Sequence, residues 1–329
     1  MSDSRLTPFA IPGAMQRTVS SRTGLDYQIM IWSPDGAALP SSDMAMYERA
    51  ETEEVRSTES ASGAGCPVVY VLDANAVFGT VVECMRLLSR GPYAIEPAVI
   101  VGIGYPTDRP LDTKRRFYDY TVKAEASELP QRKIDSPWPD TGGADLFLAF
   151  IEEELKPAIE REYSIDRGRQ TLIGHSLGGF FALYAMLTRR GSYGSYCAGS
   201  PSIWWKNGYL WPLLDRWLME AKRKAEVGAD GLEVANTCRE KEGEAGGIEA
   251  AGARGEAARA AGGAGTRLYI CMGGDEKPHM VDDAQRLYDR LSAEQLPSFT
   301  VKHDCLPEEG HLSVILPFLA RALRFSVDG

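Results

Sequence analysis

Residues 169–184 read RQTLIGHSLGGFFALY, and the fold follows from how this stretch divides. The first six residues, RQTLIG, carry a strand signal over 169–174. A helical pattern returns over 177–189. Between them stands Gly174-His175-Ser176-Leu177-Gly178, a G-x-S-x-G pattern. Such a turn lifts a serine Oγ above the edge of a sheet. Glycines at 174 and 178 are expected to let strand and helix pass without Cβ clashes. The helix N-terminus adds free N–H groups near the serine. Alone the pattern is weak, because Gly and Ser are common. A strand before it and a helix after it make Ser176 the candidate nucleophile.

Outward from the elbow, strands and helices alternate. Residues 67–72 (PVVYVL) and 97–103 (PAVIVGI) are continuous apolar runs, as expected of buried strands. Strand patterns recur at 195–199, 267–272 and 298–302, and helical spacing at 77–89, 143–162, 280–294 and 312–325. A Trp-rich segment covers 203–218, and 104–140 reads as loop. An antiparallel pair over 16–21 and 25–32 turns at Thr23-Gly24. This order predicts an α/β fold with a mainly parallel sheet covered on both faces, its function gathered at the carboxyl edge.

The chain has 329 residues and a formal net charge of -10, which argues against a nucleic-acid footprint. The acidity is local. Residues 37–65 carry six acids against two bases, and 225–265 eight against four, about -8 of the total. These stretches are low in pattern and aromatics, and read as solvated inserts at about 35–65 and 225–265 in one domain spanning 1–329. None of the six cysteines forms a CxxC pair, so zinc-like spacing is absent. No run reaches transmembrane length, and the N-terminus lacks the pattern of a signal peptide. A soluble, cytoplasmic protein without membrane contact is the expectation.

A serine hydroxyl needs a base, and the base an orienting acid. Four histidines are available: His175, His279, His303 and His311. His175 lies inside the elbow and is expected to point away from Ser176. The order serine, acid, histidine selects His311, on a loop after the last strand, with His303 as competitor. The acid should follow strand 267–272, where Gly273-Gly274-Asp275-Glu276 offers two carboxylates. Glu276 is preferred and Asp275 is the alternative. The oxyanion donors are expected to be the backbone N–H groups of Leu177 and, after strand 67–72, of Asn75.

Several segments together carry a resemblance. They are VLDANAVF (71–78), YPTDRPLDTKRRFYDYT (105–121), GHSLGGFFALYAML (174–187), AGSPSIWW (198–205), GGDE (273–276) and EEGHLSVILPFLARAL (308–323). In this order the chain resembles the esterase-D-like group of the α/β-hydrolase fold, and within it most the siderophore esterases acting on enterobactin-type trilactones and fungal triacetylfusarinine-type siderophores. The resemblance spans about residues 15–325 apart from the inserts. It implies ester hydrolysis without a metal or other cofactor, with Ser176 and His311 as the core pair and the acid at Glu276.

The implied substrate is a small-molecule ester, a ferric siderophore being the family's type. For it, Trp204 and Trp205 offer an aromatic wall, although either of them would serve equally as a core plug. On the loop after strand 97–103, Arg115 and Arg116 offer contacts to a catecholate or carboxylate, or else structural ion pairs. Two other readings stand beside this one. A generic short-chain or thioester hydrolase of the same group would share the elbow. A non-catalytic binding scaffold would be expected to lack a triad member, and here serine, acid and histidine are all present.

Overall fold

The computed structural model describes residues 9–34, 65–131, 137–223, 265–296 and 298–327. The two stretches read as inserts lie almost wholly outside the described residues. Eight strands form one sheet: β1 (Ala14–Ser20), β2 (Asp26–Trp32), β3 (Cys66–Leu72), β4 (Val99–Gly104), β5 (Ile165–His175), β6 (Ser195–Gly199), β7 (Thr266–Gly273) and β8 (Phe299–Leu306). Their spatial order is β1-β2-β4-β3-β5-β6-β7-β8. The β1–β2 and β2–β4 pairs are antiparallel and the remaining pairs are parallel.

Strand β3 shows why the apolar runs become central strands. Val68, Tyr70 and Leu72 face one buried cluster while Val69 and Val71 face another, so both surfaces of the sheet are covered. One face carries the helices Ala74–Leu88 and Ile315–Val327, whose Phe78, Val82, Phe318 and Leu323 pack there. The opposite face carries Leu177–Thr188, Pro278–Ala293 and a helix over 210–223. This is the α/β-hydrolase arrangement expected from the sequence.

Three elements differ from expectation. Segment 104–140 contains the helix Thr113–Tyr120, with Asp112 accepting the Arg115 N–H at its start. Its charged run TKRR hides the helical period, because only Asp119 and Tyr120 are fully buried. The helix expected over 143–162 is interrupted by a π turn at Ile151–Leu155. Strand β5 begins at Ile165, ahead of the strand signal over 169–174, because its first residues lie at the exposed start of the strand.

The chain leaves β3 for β4 on one side and then adds β5 on the other. The crevice where a strand order reverses in this way is the expected ligand position of an open α/β sheet. Asp73 follows β3 and Ser176 follows β5, so both stand at that crevice.

Candidate active site

Strand β5 delivers Ser176 at φ 59 and ψ -115, a conformation that costs a non-glycine residue energy. The surroundings hold it there. The Ser176 N–H donates to the Gly199 carbonyl at 2.9 Å, and its own carbonyl accepts from Phe180 and Ser202 N–H groups. A Cβ at Gly174 would stand 2.2 Å from the Gly178 carbonyl oxygen, so that glycine is obligatory. The second obligatory glycine of the elbow is Gly179 rather than Gly178. A Cβ at Gly179 would meet the Gly199 carbonyl at 2.8 Å, whereas at Gly178 it would make ordinary contact with Leu72.

His311 lies on the loop after β8, and its Nε2 stands 3.0 Å from Ser176 Oγ. Its Nδ1 stands 2.6 Å from Glu276 Oε2. Glu276 Oε1 accepts from the Gly273 N–H at 3.1 Å and from the Ser200 hydroxyl. Burial pushes the Glu276 carboxyl up, but hydrogen bonds from His311, Ser200 and Gly273 outweigh it and hold the group below its ordinary range. The carboxylate is therefore ionised and aimed at the imidazole.

The structure separates the alternatives. Asp275 is exposed, and its backbone N–H donates to the Glu309 carbonyl. Glu276 faces His311 because the Gly273–Glu276 turn folds its side chain back under the edge, to 1% exposure. His303 sits on β8 opposite Ile270 and against the Tyr288 ring.

His175 does not simply point away. Its ring lies tilted against that of His311, 4.7 Å between centroids, and it lines the same cavity as Ser176. Burial lowers the His175 pKa to about 3, with the neighbouring His311 charge acting in the same direction. Unfolded, this imidazole titrates at about 6.5. Between those values the unfolded chain binds a proton that the folded chain refuses, so stability falls as pH drops from about 6.5 towards about 3. Urea midpoints measured from pH 7 to pH 4.5 should show this decline, and His175→Gln should flatten it.

A cavity of about 230 Å³ opens at Ser176, with Asp73, Ala76, Val77 and Arg116 on its wall. Arg116 is partly buried, its side chain 11% exposed, and is held at two points by Asp73, with Nε to Oδ1 at 3.0 Å and Nη2 to Oδ2 at 2.9 Å. The Asp73 N–H in turn donates to the Tyr120 hydroxyl at 3.1 Å. Leu177 opens the nucleophile helix directly after Ser176. Asn75 is not among the residues that line the cavity. Its side chain turns to the end of β4, accepting from the Tyr105 N–H and donating to the Tyr105 and Thr107 carbonyls.

Three of the residues weighed as substrate contacts lie away from the Ser176 cavity. Arg115 lies outside the Ser176 cavity, because Asp119 and the faces of Tyr27 and Tyr105 hold its guanidinium. Trp205 is a core plug at 0% exposure, ringed by Phe117, Trp138 and Trp204. Trp204 is half-buried against that core and does not line the cavity. Removing so large a buried ring by Trp205→Ala should cost about 3–5 kcal/mol, checked by urea unfolding, with the site chemistry untouched in the fraction that folds.

Sequence reasoning missed the serines just before these tryptophans. Ser200 donates to Glu276, and Ser202 Oγ stands 3.5 Å from Ser176 Oγ. Their spacing around Pro201 carries no pattern of its own; only the meeting of the β5, β6 and β7 ends gives them partners.

The Putative esterase family model matches residues 54–285. The Ferri-bacillibactin esterase BesA of Bacillus subtilis is 35% identical over 325 residues, 97% of this chain and 91% of that protein. The Siderophore triacetylfusarinine C esterase of Aspergillus fumigatus is 36% identical over 143 residues, 43% of this chain and 46% of that one. The crystal structure of the BES protein from Bacillus cereus superimposes with a TM-score of 0.75 at 30% identity, covering 98% of this chain and 99% of that one. The chain is a carboxylic ester hydrolase and belongs to the Putative esterase family.

Proposed function

We propose that this enzyme hydrolyses the ester bonds of a siderophore in the cytoplasm, with Ser176, His311 and Glu276 as its catalytic triad. The observation that carries the reading is the likeness, over 97% of the chain, to a protein named as a ferri-bacillibactin esterase. The hydrogen-bonded series Glu276–His311–Ser176 supports the chemistry. Free thiols at Cys66, Cys84, Cys197, Cys271 and Cys305 support a reducing compartment.

In this mechanism Ser176 Oγ attacks the ester carbonyl while His311 Nε2 takes its proton. Glu276 holds the imidazole and stabilises its charged form. The Leu177 N–H receives the developing oxyanion, and the Arg116 guanidinium adds positive charge on the cavity wall. Asp73 fixes Arg116 in advance, so little reorganisation accompanies the reaction. His311 then protonates the leaving alkoxide, and water attacks the acyl-enzyme by the reverse sequence.

The test incubates purified protein with ferric and iron-free siderophores of the hydroxamate-ester and catecholate-trilactone classes, beside short p-nitrophenyl esters. Products are followed by mass spectrometry. Cleavage of one siderophore far faster than the small esters is expected and names the class. Cleavage of the small esters alone would overturn the siderophore reading and leave the nucleophile standing.

A further inference from the structure

The cavity at Ser176 extends away from the polar groups between the sheet and two helices. Val71 and Ile173 form its sheet side, and Val77, Ile315, Phe318 and Leu319 its helix side. Val71, Ile173, Phe318 and Leu319 are almost fully buried, so this part of the cavity reaches into the core. Leu111 and Leu312 also line it, yet are 41% and 72% exposed, which leaves an apolar rim at the outer end.

A substrate group that fills this space belongs to the ester whose carbonyl sits at Ser176, which also lines the cavity. The alcohol half of an ester leaves with a proton from His311, whose side chain is 39% exposed. The acyl half stays bonded to Ser176, beside the cavity, after the alcohol half has gone. About 230 Å³ is less than the roughly 300–1,000 Å³ of pockets for drug-sized ligands. Apart from Asp73, Arg116, Ser176 and the two histidines the lining is apolar, so a charged or heavily hydrated acyl group placed against Val77, Ile315 and Phe318 would lose its solvation there without replacement.

We propose that the enzyme has a second activity, hydrolysis of esters of unbranched aliphatic carboxylic acids of medium length, with the acyl chain lying between Val77 and Ile315. This rests on Ser176 as the nucleophile but not on any siderophore substrate.

The test is a chain-length series of p-nitrophenyl acetate, butanoate, hexanoate and octanoate with the full chain. Burying each CH2 should raise kcat/KM by about fourfold until the cavity is full, so acetate is the poorest of the first three. Val77 and Ile315 are half-buried, so a larger side chain at either can enter the cavity without displacing the core. Val77→Phe and Ile315→Phe should each lower the hexanoate-to-acetate ratio by about tenfold. Labelling of Ser176 by a fluorophosphonate verifies that each variant is folded, and either variant alone suffices. A profile that peaks at acetate, or a ratio unchanged in a labelled variant, overturns the acyl pocket alone. An unlabelled wild-type Ser176 with no ester cleaved overturns the nucleophile and the pocket together.

Discussion

Ser176→Ala should lower kcat on p-nitrophenyl esters by about 10⁶-fold, and His311→Ala should do nearly the same. The two groups act through one proton, shared across the 3.0 Å between Oγ and Nε2. Removing either leaves the other without a task, so the double variant should be little worse than the singles. What remains comes from the Leu177 N–H, the Arg116 charge and substrate positioning. Stability should change little in Ser176→Ala, because the strained backbone is held by main-chain hydrogen bonds that alanine keeps. The measurement is single-turnover kinetics beside fluorophosphonate labelling. His303→Ala serves as the control, since His303 packs on Tyr288 away from the elbow. If His311→Ala kept near-wild-type activity while His303→Ala lost it, the assignment of the base would be wrong.

The second large effect is at Glu276. Glu276→Ala should reduce kcat by about 10⁴-fold, as for other triads stripped of their acid. Without the carboxylate 2.6 Å from Nδ1, the imidazole loses both its tautomer and the charge that stabilises its protonated form. Asp275→Ala should stay close to wild type, because the Asp275 side chain is exposed and only its backbone N–H is tied to the site loop. Comparing kcat for the two alanine variants decides between the neighbouring carboxylates. Ser200→Ala should fall between them, losing about tenfold, because one charge-assisted hydrogen bond to Glu276 disappears while two remain. Its effect should appear in kcat rather than KM, since Ser200 touches the acid and not the substrate.

The sequence was most legible where chemistry and backbone coincide. A strand running into Gly174-His175-Ser176-Leu177-Gly178 and then a helix admits few structures, and the serine–acid–histidine order singles out His311 once the strands are counted. The acid stayed open between Asp275 and Glu276 for a physical reason. Adjacent residues on a turn point in different directions, and which one turns under the edge depends on the turn's hydrogen bonds to Leu306 and Glu309, far along the chain. The choice between aromatic wall and core plug stayed open for a related reason. Trp204 and Trp205 sit at the right edge, but whether a tryptophan faces a ligand or a core is set by what packs against it, here Phe117 and Trp138 from the loop and helix region that the sequence left largely unread.

The sequence by itself determined the alternation of strands and helices and the candidates for nucleophile and base, because these rest on local apolar periodicity and on a steric requirement at one glycine-flanked turn. Only the tertiary structure decided the strand order, which carboxylate faces His311, the pairing of Arg116 with Asp73, the Ser200 contact and the cavity beside Ser176. Each of those joins residues tens to hundreds of positions apart. Neither spacing nor residue type encodes such meetings; they exist once the carboxyl ends of β3, β5, β6 and β7 are side by side.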